Sequence, residues 1–520
     1  MLFNSFEFLL FFLPATLALF VISARHFGNQ AALGVLVLCS LFFYAWWNPV
    51  YLVLLLFSMV FNFQIGKRLG QHSHRGLLAF GIALNLGLIA YYKYAGFIVL
   101  NLNTLLSTHW SLGAIVLPLA ISFFTFQQIA YLVDSHRGIT REYQFIHYAL
   151  FVSFFPELIA GPIVHHRDML PQFVRPGRFR LEVDNFTVGI SIFAIGLFKK
   201  TVLADGVAVY ANPVFHAADS GQTLDFFTAW GGALAYSFQL YFDFSGYSDM
   251  AIGLARLFGI VLPLNFYSPY KAANIAEFWR RWHITLSSFL RDYLYIAMGG
   301  NRHGKARRYA NLISTMLLGG LWHGAGWNFV IWGGLHGLYL VLHQMWRALL
   351  AALKLSPSGA LYSAFAWLIT MLCVVVGWVF FRATTLDGAL SLLHSMVGLN
   401  GFTLPQGILA RIGEAGTAIE ALGIQAIHGG GQTFLQTWLW NLVLLATVLL
   451  MPNVQDMFNR ARCSLQDQSF DTTDSVWPLI GWARRLQWQA STGWAIAVAC
   501  ALALGLLTLF QVSEFLYFQF

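Results

Sequence analysis

Long apolar runs follow one another along the chain, and only a few polar stretches interrupt them. A helix needs about 20 mostly apolar residues to cross a bilayer. Candidate spans lie near 7–24, 32–47, 50–66, 76–92, 95–108, 114–133, 145–160, 187–206, 226–243, 248–264, 309–322, 327–350, 361–381, 436–451 and 492–512. Several are too short to cross unaided, which predicts re-entrant segments or pairs that form one broken crossing. The long polar stretches are 163–186, 266–308, 400–433 and 453–490. The last two are rich in Gly, Gln, Ser and Asp and read as loops without evident chemistry. No soluble domain, internal repeat or low-complexity tail stands out, so 1–520 reads as a single membrane domain.

Composition sharpens this picture. Hydrophobic residues make up 58% of the chain and charged ones 10%, where a soluble domain carries about 25% charged residues. The expectation is an all-α, polytopic integral membrane protein. Aromatic residues, 17% of the chain, suit the interfacial belts of such a protein. The formal charge of +8 is read first as retention of basic loops on the cytoplasmic side, and no basic run interleaved with aromatics suggests a nucleic-acid groove. Cys39, Cys373, Cys463 and Cys500 show no CxxC spacing and read as free thiols. Residues 8–23 are apolar, but Glu7 stands where a signal peptide carries basic residues, so this reads as an uncleaved first span.

Basic loops set the orientation. Lys67, Arg68 and Arg75 belong to the cytoplasm, as do Arg167, Arg175, Arg178 and Arg180. Counting back over two spans puts Arg25 inside and the N-terminus outside. Arg137 and Arg141 precede the 145–160 segment and Arg167 follows it. Both loops are cytoplasmic only if that segment does not cross; Pro156, Gly161 and Pro162 would break such a helix.

Polar groups at membrane depth are costly and mark sites. Three clusters qualify. The first, 241–249, crowds Asp243, Ser245, Ser248 and Asp249 around Gly246. It fits a broken helix lining a cavity or a helix–turn–helix with capping side chains; Ser245 reads as a cap, while Asp243 and Asp249 stay open between the two. The second, 277–293, predicts one interfacial helix. Glu277, Arg280, Arg281, Ser288, Arg291 and Asp292 share a face, opposite Phe278, Trp279, Trp282, Leu286 and Phe289, with His283 at the boundary. Its bland version is a surface anchor; its density of Arg, His and carboxylate suits an anionic acyl donor. The third, 319–327, sets His323 between glycines, with Asn328 and His336 beyond. Glycines permit a backbone break and close approach of a substrate. On a continuous helix, His323 and His336 would lie roughly 20 Å apart on different faces. Without HExxH or a nearby carboxylate, no metal site is expected.

Acyl transfer to a hydroxyl needs a base that takes the hydroxyl proton and a donor that holds the oxyanion. His323 as base, with His283 polarising the carbonyl or positioning the acceptor, is the economical assignment. Without GxSxG, a serine acyl-enzyme is not indicated.

At these residues the sequence resembles the membrane-bound O-acyltransferase family, in its bacterial alginate O-acetylation branch. The matching pieces are Tyr44-Ala-Trp-Trp47, Ile121-Ser-Phe123, Ala160-Gly-Pro162, 239–250, 277–283, 290–295, Gly299-Gly-Asn-Arg302 and 317–324. The resemblance implies a ring of transmembrane and re-entrant helices around a funnel, with a family core over about 115–380. It implies His323 as the family's catalytic histidine and His283 as the second; Arg280, Arg281, Asp243, Asp249, Arg291, Asp292, Asn328 and His336, read from the clusters themselves, are the supporting or substrate-path candidates. It further implies a cytosolic acyl donor, acetyl-CoA or another acyl thioester, with no bound cofactor. Periplasmic acetylation partner proteins, a polysaccharide acceptor and a cell inner membrane location complete the expectation. A teichoic acid D-alanyl transferase and, from another class, a proton-coupled transporter are the alternatives; the inverted repeats of a carrier are not found.

Overall fold

Six helices of the computed structural model are long and apolar enough to span a bilayer: Glu7–His26, Pro49–Gln71, Arg75–Leu106, Val183–Asp219, Ala360–Arg382 and Gly431–Leu450. The structure describes residues 1–140, 144–174, 182–461, 463–465, 485–509 and 515–516. Arg141, Arg175, Arg178 and Arg180 lie outside these. Large apolar side chains such as Leu361 and Leu105 face outward, as suits helices in contact with lipid.

The basic residues Lys67, Arg68, Arg137, Arg167 and Arg291 collect at one end of this bundle. Ser73, just after Lys67 and Arg68, has its hydroxyl 3.0 Å from the His136 ring, next to Arg137. The Tyr293 hydroxyl, near Arg291, donates to Asp134 at 2.9 Å and lies 3.3 Å from Nδ1 of His165. This is the face that the charge bias assigns to the cytoplasm. The 145–160 segment folds as two short helices, Phe145–Ser153 and Phe155–Leu158, and returns to the same face, so Arg137 and Arg167 are not in conflict.

At the centre lies the helix Phe226–Leu257, 32 residues long and buried over nearly its whole length. It corrects the expectation of a break near Gly246: the two spans 226–243 and 248–264 are one helix, and Ser245 is a buried mid-helix residue, not a cap. Two features keep it continuous. Asp243 and Asp249 find cations on the facing helix, with Lys200 2.8 Å from Asp243 and Lys199 2.6 Å from Asp249. Lys200 also pairs with Asp205 at 2.7 Å. Gly246 and Gly253 meanwhile allow backbone contact. A Cβ on Gly246 would lie 2.8 Å from the Gly196 carbonyl, and one on Gly253 2.6 Å from the Gly189 carbonyl.

Other expected boundaries also move. The spans 76–92 and 95–108 form the single helix Arg75–Leu106 with a π-helical turn at Ala90–Tyr94. The 114–120 stretch is not helical; helix Ile121–His136 begins after Ala120, which takes a left-handed conformation at φ 60°. The 400–433 loop carries the short parallel strands Thr403–Pro405 and Gln425–Ile427, with Thr403 opposite Gln425.

Candidate active site

The expected single helix over 277–293 is broken at its centre. Ile275–Arg281 and Ile284–Phe289 are separate short helices, and His283 between them is left-handed at φ 43° and ψ 53°. A non-glycine residue held there is strained and persists only where its surroundings fix it. Here the fixing group is Asn265: its side-chain oxygen is 3.0 Å from Nδ1 of His283, and its backbone carbonyl accepts from Ile284 at 3.0 Å. The same side-chain oxygen accepts from the Thr285 hydroxyl at 3.0 Å, and that hydroxyl accepts from the Ile163 N–H at 3.0 Å. With Asn265 as acceptor, Nδ1 of His283 carries the proton and Nε2 carries the lone pair. Phe244 of the central helix closes edge-on against the ring at 4.8 Å.

His323 is the last residue of helix Gly304–His323. Gly324 is extended and stops the helix, and Trp327–Ala352 then runs back beside it. The glycines make the hairpin tight, since a Cβ on Gly320 would fall 2.1 Å from the Phe329 carbonyl and one on Gly333 2.3 Å from that of Met316. At this turn His323 is buried among Trp322, Trp332 and Phe381, with ring centroids 5.0, 5.0 and 5.1 Å away. Its ring lies 6.4 Å from that of His283, at 60°.

The hairpin also brings His336 close, unlike the continuous-helix expectation. Trp332 stands between the two rings, 5.0 Å from His323 and 4.9 Å from His336. His336 accepts at Nδ1 from Trp279 Nε1 at 3.3 Å and so buttresses the aromatic wall. Among the described residues, no three His, Cys, Asp or Glu side chains gather as metal ligands.

The other candidates do not converge on the histidine pair. Arg281 is buried in an ion pair with Glu277 at 2.7 Å, Arg280 is exposed, and Arg291 pairs with Asp292 at 2.7 Å at the surface. Asn328 donates to the Ala383 carbonyl at 2.7 Å and ties the hairpin to the end of helix Ala360–Arg382. Asp243 and Asp249 are held by Lys200 and Lys199 of the neighbouring helix.

Two residues beyond the sequence candidates shape the site. Asn265 carries no signal in the sequence, because it follows an ordinary apolar stretch. Lys93 does carry one, since it is a lone cation inside an apolar span. Its ammonium donates to the carbonyls of Trp322 at 2.6 Å and His323 at 3.0 Å, while Tyr94 donates to Leu321 at 2.6 Å. Lys93 and His323 both line a cavity of about 110 Å³ with Trp47, Leu117, Ala120 and Ser122. Trp47 and the 107–120 connection lie at the end of the bundle opposite the basic face, so this cavity approaches His323 from the far side.

A family model described as MBOAT, membrane-bound O-acyltransferase family, matches residues 135–382. A peptidoglycan O-acetyltransferase of Helicobacter pylori is 46% identical over 434 residues, 78% of this chain and 81% of the relative. The chain belongs to the membrane-bound O-acyltransferase family. Within it, a probable alginate O-acetylase AlgI of Pseudomonas aeruginosa is 41% identical over 448 residues, 84% of this chain and 83% of the relative. A teichoic acid D-alanyltransferase of Streptococcus thermophilus is more distant, at 29% identity over 44% of this chain and 57% of the relative. This chain is thus a multi-pass membrane O-acyltransferase, similar throughout most of its length to enzymes that transfer acetyl.

Proposed function

We propose that this enzyme carries acetyl from a cytosolic thioester, acetyl-CoA or another acyl thioester, to a hydroxyl on the far side of the cell inner membrane. The acceptor is an exported polysaccharide of alginate or peptidoglycan type, reached directly or through a periplasmic acetylation partner protein. The observation that carries the reading is the position of His323, one side in the far-side cavity and the other toward His283. His323 takes the hydroxyl proton as general base. His283, with Nδ1 committed to Asn265, turns Nε2 toward the reacting groups and positions them.

Acetyl rather than D-alanyl is favoured by identities of 46% and 41% to O-acetyl-transferring relatives against 29% to the D-alanyl one. The test is a strain lacking the gene, with and without the wild-type chain restored. Mild alkali should release more acetate from peptidoglycan or exported polysaccharide when the chain is present, and no extra D-alanine. D-alanine release that tracks the chain would replace acetyl as the cargo, and no change in either would set the reading aside.

A further inference from the structure

We propose that Lys93 is a catalytic residue, an oxyanion donor for the acyl carbonyl at His323; this rests on the reading of His323 as the base. Three observations carry it. First, Lys93 lies well inside the span Arg75–Leu106, on its π-helical turn, a distortion that often marks a functional position. Second, its ammonium has no carboxylate within ion-pair distance among the described residues. Two of its protons go to the carbonyls of Trp322 and His323, at the negative end of helix Gly304–His323. An ammonium has three donors, and Lys93 lines the same cavity as His323, leaving one proton for a group bound there. Third, helix Ile121–His136 starts at this cavity. Ala120, Ile121 and Ser122 line it, and the Ser122 N–H has no acceptor among the described residues. A cation and a helix N-terminus thus meet in one small cavity inside the membrane, where a developing negative charge is held far more strongly than in water.

The chemistry needs such a donor. As the acceptor oxygen bonds to the thioester carbonyl carbon, the carbonyl π pair moves onto its oxygen and His323 takes the hydroxyl proton. Lys93 and the Ser122 N–H hold that oxyanion. When the carbonyl re-forms, the C–S bond breaks and the leaving thiolate takes the proton back from His323. Lys93 acts in this step only as a hydrogen-bond donor and gives up no proton.

The experiment uses the full chain in proteoliposomes with acetyl-CoA as donor and an alginate oligosaccharide in excess as the hydroxyl acceptor, following acceptor-dependent thiol release as the acetyl-CoA concentration is varied. Lys93→Met removes charge and donor, Lys93→Gln keeps a donor for the helix carbonyls, and Lys93→Arg keeps the charge. Lys93→Met and Lys93→Gln should lower kcat by about 100-fold with KM little changed, and Lys93→Arg should recover part of the rate. Thermal melting of Lys93→Gln should stay at the wild-type value, which separates chemistry from loss of the helix cap. Wild-type kcat in Lys93→Gln, or a change in KM alone, overturns the proposal. Should His323→Ala keep wild-type turnover in the same assay, the base assignment fails, and the role of Lys93 fails with it.

Discussion

The rings of His283 and His323 meet edge to face with centroids 6.4 Å apart, although they belong to different helical hairpins. His283 is fixed by Asn265 across a broken helix, and His323 by a wall of Trp322, Trp332 and Phe381 at a glycine turn. At this separation the two imidazoles pack against one another, and the space for reacting groups lies on the cavity side of His323.

Asn265→Ala should therefore impair activity through His283. Loss of one neutral hydrogen bond costs about 1 kcal/mol, but a freed His283 also loses its tautomer and direction. A fall of about tenfold or more in acetyl transfer, at equal membrane abundance, is expected. Ester content per unit of protein checks it, and full activity would detach His283 from the chemistry.

Asp249 should act on folding. It pairs with Lys199 at 2.6 Å, both largely buried. Asp249→Ala leaves a cation at membrane depth and should cost about 3–5 kcal/mol. The double change Lys199→Met with Asp249→Leu should restore much of that stability. Melting temperature in detergent reports both. A stable, inactive Asp249→Ala would instead place this carboxylate on the substrate path.

The central helix contact makes a sharper packing prediction. A Cβ on Gly253 would meet the Gly189 carbonyl at 2.6 Å and the Phe193 N–H nitrogen at 2.7 Å, both backbone atoms with nowhere to move. Gly253→Ala should destabilise by about 1–3 kcal/mol, seen as lower melting temperature and lower membrane abundance. Unchanged melting would mean that the helices separate at little cost.

Much of this is legible in the sequence. The membrane class, the basic face, the non-crossing 145–160 segment and the backbone break after His323 all follow from apolar length, Lys/Arg placement and glycine chemistry. The errors share one physical cause. Polar residues within 241–249 resemble a turn, yet Lys199 and Lys200, far away in sequence, neutralise them and leave the helix whole. Conversely, 277–293 keeps a helical period but breaks at His283, because Asn265 and Thr285 reward the strained conformation. Long-range partners decided both cases, and no local pattern encodes them. Lys93 could have been found by the same rule that drew attention to Asp243.

The most direct test replaces the wild type with His323→Ala in cells and measures polysaccharide acetyl ester at equal membrane abundance. Loss of a general base should lower transfer by about 10²–10⁴-fold, leaving no measurable ester above a strain without the gene. Ester at the wild-type level would contradict the account and remove His323 from the role of base.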